Sequence, residues 1–102
     1  MRLLVFFDLP VGTKEERKIA TRFRKFVLED GYMMVQFSVY CRICNGQDAV
    51  NKHLARLNGN LPKNGSVRCL QITDKQYGNM KFMAGEISKT EKKMNSDQLS
   101  MF

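Results

Sequence analysis

The first third of the chain contains a continuous apolar run followed by apolar residues at helical spacing. Residues 2–8 are almost continuously apolar, which predicts a strand that is buried on both faces. From Thr13 to about Asp30 the apolar residues recur at helical spacing. Thr13 and Glu16 have the spacing of a capping box, and Gly31 is placed to end the helix. A strand followed by a long amphipathic helix is therefore expected here.

The stretch from Tyr32 to Ile43 alternates instead with a period of two. One face carries apolar residues: Val35, Phe37, Val39, Cys41 and Ile43. The other face carries Gln36, Ser38, Tyr40 and Arg42. Because no Gly, Pro, Asn or Asp interrupts these positions, the pattern predicts one continuous strand that is half exposed.

Shorter elements follow to the end of the predicted domain. Asn45-Gly46 opens a second helix whose apolar stripe is Val50, Leu54 and Leu57. Residues 66–73 form the next predicted strand, with a turn near 77–79 and a short apolar piece at 80–84. The order of strand, helix, one or two strands, helix and strand predicts a split βαβ or ferredoxin-like α+β sandwich over residues 1–85, which is βαββαβ if residues 32–43 divide into two strands.

Residues 86–102 are expected to be a polar linker that ends in an additional C-terminal edge strand, Leu99–Phe102. Two helices cover one face of a four-stranded sheet, yet the first strand is apolar on both faces. Self-association supplies the simplest cover, because a two-fold interface is self-complementary. We therefore expect a homodimer, with the terminal strand docked on its own domain or on the partner.

Composition narrows the class of partner. The 102 residues include 17 Lys+Arg against 10 Asp+Glu, which gives a formal charge of +7. For one small domain this balance favours a nucleic-acid or polyphosphate partner. No apolar run approaches the ~20 residues that cross a bilayer, and no secretory signal is visible. Three cysteines without a signal fit a reducing compartment, so no membrane partner and a cytoplasmic location are expected.

The long amphipathic helix gathers cations on the side opposite its apolar face. They are Lys14, Arg17, Lys18, Arg22, Arg24 and Lys25. Such a cluster can track a phosphate backbone, because each cation neutralises a phosphate and releases a counterion. The alternative is an ordinary solvated helix face. Contacts of this kind position nucleic acid without reading its sequence.

Asp8 ends the first buried strand and is the candidate metal ligand. Mg²⁺ prefers carboxylate oxygens and keeps several waters, so one or two carboxylates suffice. Asp74 belongs at the opposite edge of a ferredoxin-like sheet, but a two-fold axis would bring in a second Asp8. The alternative is structural, with Asp8 accepting hydrogen bonds from the amides of the turn over residues 9–12.

A zinc site is a weaker hypothesis. Cys41 and Cys44 have the spacing of half a site, and Cys69 with His53 would complete four ligands. Two features argue against it. Cys41 falls on the apolar face of its predicted strand, and the sequence has no second pair of closely spaced ligands. We expect His53 to lie at the border of the apolar stripe of its helix.

Three segments together resemble the CRISPR-associated protein 2 family, in the version found in type II systems. The segments are Leu4–Pro10, Gln36–Tyr40 and Ser66–Arg68 with the short apolar piece after them. The resemblance spans the chain and implies a ferredoxin-like homodimer. It also implies that residues 32–43 divide into two strands and that residues 80–84 form a short fifth strand.

The same resemblance implies a role in CRISPR spacer acquisition. It implies a basic dimer that binds duplex DNA and scaffolds the spacer integrase, with the DNA-contacting region near Lys14, Arg17 and Lys18. It also places Asp8 at a position assigned to Mg²⁺, since some members are described as metal-dependent endonucleases on RNA or DNA. The scaffold is the first hypothesis; a Mg²⁺-dependent endonuclease with Asp8 as its catalytic and metal-binding residue is the second.

Overall fold

The computed structural model describes residues 1–85 and arranges them as two helices against one face of an antiparallel sheet. The elements are β1 (Arg2–Asp8), α1 (Lys14–Glu29), β2 (Met33–Gln36), β3 (Val39–Ile43), α2 (Gln47–Asn58), β4 (Ser66–Ile72) and α3 (Asp74–Gly78). The strand order is β2-β3-β1-β4, and every neighbouring pair is antiparallel. The predicted ferredoxin-like fold is confirmed. The predicted linker and terminal strand lie outside the described residues.

β1 lies in the middle of the sheet and is buried on both faces, as predicted. Leu3, Val5 and Phe7 point into the main core, where they meet apolar residues of both long helices. The ring of Phe7 contacts Phe23 of α1 edge-on, with ring centres 5.2 Å apart, and stacks on Tyr40 of β3, with ring centres 5.4 Å apart. This core fixes the helices above the sheet.

The boundaries of α1 follow the local signals in the sequence. Thr13 caps the helix: its hydroxyl accepts from the amide of Glu16 at 3.1 Å, and the Glu16 carboxylate accepts from the amide of Thr13 at 2.9 Å. Gly31 follows the helix with a φ of +94°. Ala20, Phe23 and Val27 are buried, so the predicted apolar face is confirmed.

The prediction of one continuous strand over residues 32–43 was wrong. β2 and β3 are separated by a tight turn at Phe37 and Ser38, and Ser38 adopts a φ of +65°. The turn is held by tertiary structure, since the amide of Phe7 donates to the carbonyl of Ser38 at 3.0 Å. Phe37 is 88% exposed rather than part of an apolar face.

The position of Tyr40 also differs from the prediction for this stretch. It was expected on a polar face, yet it is 2% exposed in the main core. Tyr40 pairs with Val5 in the β1–β3 ladder, so its side chain lies on the same sheet face as Val5. The main core under α1 and α2 buries that face, whereas Cys41 lies in the smaller core on the opposite face.

Two further expectations fail after β4. Residues 74–78 form the short helix α3 rather than an open turn, capped by Thr73 and Gln76 in a second capping box. Residues 80–84 form no strand in the described structure. A strand exists only through pairing, and no described strand pairs with this segment.

The sheet face opposite α1 and α2 carries a second, smaller core. Leu4, Cys41 and Tyr77 are buried there, with Phe6 and Val35 packed beside them. The ladder pairs Leu4 with Leu70 and Arg2 with Ile43, which places both partners on this face. Leu70 is 51% exposed and Ile43 48% exposed.

Candidate nucleic-acid interface and strand-end aspartate

The six cations of α1 all lie on the exposed side of the helix, opposite the residues that it buries. They are Lys14, Arg17, Lys18, Arg22, Arg24 and Lys25. Periodicity alone predicted this separation, because the core takes the apolar stripe and leaves the cations in water. The resulting basic face is accessible to a polyanion along the length of the helix.

Within residues 1–85, Arg17 and Lys25 of this basic face have partners. One guanidinium nitrogen of Arg17 donates to the carbonyls of Val11 and Gly12 at 3.3 and 3.5 Å. Arg17 therefore lies against the loop that leads away from Asp8. The ammonium of Lys25 is 3.9 Å from the carboxylate of Glu29, in an exposed i,i+4 pair that contributes little to stability.

One edge of the basic face borders a groove of about 640 Å³ between α1 and the loop after α2. Lys14, Lys18 and Arg22 line the helix side, and Lys63 lines the loop side. Glu15 is the carboxylate in the lining. Lys63 was not anticipated, because a loop cation shows no periodicity that points to a helix distant in sequence.

Asp8 lies at the exposed end of β1. Within residues 1–85 its side chain makes no hydrogen bond or ion pair, so the alternative in which it accepts from the amides of residues 9–12 was wrong. Ser66 lies opposite Asp8 in the ladder, and the carbonyl of Ser38 accepts from the amide of Phe7, the residue before Asp8. Both serines therefore lie at this edge of the sheet.

Gly65 determines how closely the chain approaches this aspartate. It has a φ of +91°, and a Cβ there would lie 2.5 Å from the backbone oxygen of Asp8 and 2.8 Å from a side-chain carbon of Leu9. The loop entering β4 therefore packs directly on the backbone that carries the carboxylate.

Asp74 lies at the opposite edge of the sheet, as predicted. Its carboxylate oxygen is 3.2 Å from Nε of Arg2 and 3.5 Å from the amino terminus of Met1. The Arg2 guanidinium also lies 4.0 Å from the centre of the Tyr77 ring. The described structure therefore does not bring Asp74 to Asp8.

The zinc hypothesis is not supported by the arrangement of its four residues. Cys41 is buried in the smaller core, Cys44 belongs to the main core, and Cys69 is exposed on β4. Desolvation raises the pKa of the Cys69 thiol, which disfavours the thiolate that zinc requires. Residues 1–85 hold no group of three or more His, Cys, Asp or Glu side chains that would bind a metal.

His53 is buried rather than at the border of its helix, and it has a specific partner. Its Nδ1 is 2.9 Å from one carboxylate oxygen of Asp30, and Nε of Arg56 is 2.8 Å from the other. The backbone oxygen of Asp30 accepts from Arg42 at 2.8 Å. Through the buried Asp30, these contacts join the end of α1 to α2 and β3.

Comparison with known proteins determines the family. Residues 1–80 match the family described as CRISPR associated protein Cas2. The chain belongs to the Cas2 family. A CRISPR-associated endoribonuclease Cas2 of Acidovorax ebreus is 55% identical over all 102 residues of both chains. One of Flavobacterium psychrophilum is 45% identical over 98% of this chain and 86% of its own. The family acts in CRISPR adaptation.

A solved structure agrees with the fold. The crystal structure of Streptococcus pyogenes Cas2 at pH 6.5 aligns with 82% of this chain and all of its own, with a TM-score of 0.60 and 24% identity. At that identity the likeness concerns the fold. No helix within residues 1–85 has the length and apolar character needed to span a membrane.

Proposed function

We propose that this Cas2 chain is a basic homodimer that binds duplex DNA and scaffolds the spacer integrase during CRISPR spacer acquisition. The observation that carries the proposal is the exposed basic face of α1 on a chain of net charge +7. Two copies carry 2 × 7, or +14. Binding is then dominated by phosphate contacts, tolerant of sequence and steeply dependent on salt.

The test neutralises three lysines of the basic face and compares them with three lysines elsewhere. One variant carries Lys14→Gln, Lys18→Gln and Lys25→Gln. The matched control carries Lys52→Gln, Lys75→Gln and Lys81→Gln, which are exposed and lie outside α1. Both variants lose the same charge, so net charge alone cannot separate them.

We expect the α1 variant to bind a blunt DNA duplex at least about tenfold more weakly than the control. Its plot of log affinity against log salt should flatten by about 3 for each protomer that contacts the DNA, because three lysines are lost and each lost phosphate contact removes about 0.9 from the slope. Equal losses in both variants would contradict a specific role for α1 and leave only a nonspecific charge effect.

The dimer part of the proposal rests on the sheet face opposite the long helices. Leu70 and Ile43 are large, apolar and about half exposed there, beside the smaller buried core. Sedimentation should give the mass of two 11.8-kDa chains. Leu70→Glu should shift it toward one chain, whereas Leu28→Glu, at 49% exposure on α1, should not. A monomeric wild type would contradict the proposal.

A second candidate function is a Mg²⁺-dependent endonuclease on RNA or DNA. Two observations favour it: the relatives named above are called endoribonucleases, and Asp8 is exposed without a described partner. Within residues 1–85 Asp8 is the carboxylate identified at this edge, and it fits Mg²⁺ when a second Asp8 comes from the partner. Asp8 would then hold the ion, which activates water and stabilises charge on the phosphate.

The nuclease is tested by cleavage of duplex DNA and single-stranded RNA, with Mg²⁺ or with chelator. Asp8→Asn is compared with Asp48→Asn, an exposed carboxylate in the first turn of α2. An enzyme would give chelator-sensitive cleavage that is lost in Asp8→Asn and kept in Asp48→Asn. Cleavage that persists in Asp8→Asn, or none in the wild type, would exclude this mechanism and favour the scaffold alone.

A further inference from the structure

We propose that the groove between α1 and the loop over residues 60–63 binds a free nucleoside triphosphate, which competes with DNA for cations of the basic face. Lys14 and Lys18 belong both to the lining of the groove and to that face. The binding site stands on the groove alone, whereas the competition rests on the proposed function. The inference goes beyond that function because it gives the protein a small-molecule ligand that controls its access to DNA.

The charge of the groove favours a compact polyanion. Lys14, Lys18 and Arg22 follow one another at intervals of one helical turn, so their Cα atoms form a row with steps of about 6 Å. Lys63 adds a fourth cation from the loop side, and Glu15 is the carboxylate among the lining residues. Two elements that are distant in sequence therefore contribute cations to one concave surface. A triphosphate concentrates several negative charges in a short chain, which suits such a surface.

The apolar part of the lining provides a surface for a base. Ile19 and Phe26 lie on the helix side, and Leu61 and Pro62 lie on the loop side. Leu61 is 49% exposed, so a ligand that covers it removes apolar surface from water. A ligand that joins a planar ring to a polyanion matches both parts of the lining. A nucleoside triphosphate has this composition, whereas inorganic polyphosphate has only the anion.

The size of the groove fits one small molecule. Its volume of about 640 Å³ lies within the range of about 300–1,000 Å³ that is typical of small-ligand sites. The loop wall is anchored at its start, because the side-chain amide of Asn60 donates to the carbonyl of Arg56 at 2.8 Å. Part of the site is therefore formed before a ligand binds, which lowers the entropic cost of binding.

A nucleotide in this groove would regulate DNA binding. The ammonium groups of Lys14 and Lys18 cannot neutralise a triphosphate and a DNA phosphate fully at the same time. DNA would in turn exclude the nucleotide, because the coupling between two ligands is reciprocal. Lys63 differs from the other cations of the groove because it lies on the loop, outside the basic face of α1. Its removal should therefore affect the nucleotide more than the duplex.

The first experiment uses calorimetry to measure binding of ATP and of inorganic tripolyphosphate to the full chain. The buffer contains chelator, so that no metal ion at Asp8 contributes. We expect ATP to bind about fivefold more tightly than tripolyphosphate, which corresponds to the burial of about 40 Å² of apolar surface. Leu61→Ala should reduce this preference to less than about twofold. Leu28→Ala, at the same 49% exposure but outside the groove, should retain it.

The second experiment tests the loop cation and the competition. Lys63→Gln should weaken ATP binding about threefold and leave the affinity for a blunt DNA duplex within about twofold of the wild type. Lys52→Gln, an exposed lysine of α2 that does not line the groove, is the matched control and should bind ATP as the wild type does. In the wild type, ATP should displace a fluorescent duplex when the added ionic strength is matched by sodium chloride. Half displacement should require about threefold more ATP in Lys63→Gln.

The outcomes separate this inference from the proposed function. Absence of ATP binding, or equal affinity for ATP and tripolyphosphate, overturns the inference, and so does an ATP preference that Leu61→Ala retains. Equal losses of ATP binding in Lys63→Gln and Lys52→Gln overturn the placement in the groove. ATP that binds without displacing the duplex contradicts the competition. ATP binding by a protein that does not bind the duplex supports the groove and contradicts the scaffold. Circular dichroism and thermal melting check that each variant is folded.

Discussion

Asp8 and Asp74 lie at opposite edges of the same sheet and have opposite environments. The Asp74 carboxylate accepts a hydrogen bond from Nε of Arg2 at 3.2 Å and lies 3.5 Å from the amino terminus. Asp8, at the other end of β1, has no hydrogen-bonding or ionic partner within residues 1–85. Both residues are exposed, so burial does not distinguish them. Their partners do.

This contrast separates a structural carboxylate from an available one. Arg2 is almost fully buried, and its charge requires compensation, which Asp74 and the Tyr77 ring supply. Nothing described near Asp8 requires its charge. The backbone fixes the position of the Asp8 carboxylate, and its oxygens face water. Such a carboxylate is available to bind a ligand, because it is not needed to stabilise the fold.

The largest expected effect concerns the backbone under Asp8. Gly65→Ala should lower the free energy of unfolding by about 2–4 kcal/mol, because the new Cβ would collide with the backbone of Asp8 and Leu9. Gly46→Ala is the matched control: its φ is +92°, yet nothing lies within 4 Å of its Cβ position. Chemical denaturation should show a smaller loss for the control, of about 1–2 kcal/mol. Equal losses would show that the contact with Asp8 is not tight.

The next effect concerns the paired end of the sheet. Asp74→Asn should reduce the free energy of unfolding by about 1–2 kcal/mol, since the buried Arg2 would lose its ion pair with the Asp74 carboxylate. Asp48→Asn, which removes an exposed carboxylate from the first turn of α2, should cost no more than about 0.5 kcal/mol. Urea titration of both variants measures the difference. If Asp74→Asn lost no more stability than the control, Asp74 would not be a stabilising carboxylate.

The smallest effect is expected at the unpaired end. Asp8→Asn should leave the free energy of unfolding within about 0.5 kcal/mol of the wild type, because no described contact is broken. The same titration checks this value directly against Asp74→Asn. A loss of more than about 1 kcal/mol would show that Asp8 stabilises the domain, and the two edges of the sheet would then be alike.

Local signals predicted the parts of the fold that depend on neighbours in sequence. The continuous apolar run predicted the bounds of β1, and the spacing of Thr13 and Glu16 predicted the start of α1. The capping box of Thr73 and Gln76 was equally visible, but the tyrosine and glycine after it favoured a turn. The local signal for α3 was therefore present in the sequence, but the prediction of a turn did not use it.

The turn at Ser38 had no local signal. Serine rarely adopts a φ of +65°, and it does so here because Phe7 donates a hydrogen bond to its carbonyl. Phe7 lies on a strand that precedes the turn by a whole helix. The family resemblance implied two strands where the residues indicated one, and the resemblance was correct.

Amphipathic period and charge determined which surface of α1 meets water, because one helix orders its own residues and needs no partner to do so. The sequence likewise placed Asp8 at a strand end and Asp74 at the opposite edge. It did not reveal that Lys63 lines the same groove as Lys18, or that Asp30 binds His53 and Arg56. Those contacts join residues from separate elements, and they exist because packing on the sheet brings the ends of α1 and α2 together. Periodicity predicts which face of one helix or strand is buried. The distance between two elements depends on the side chains that pack in the core between them.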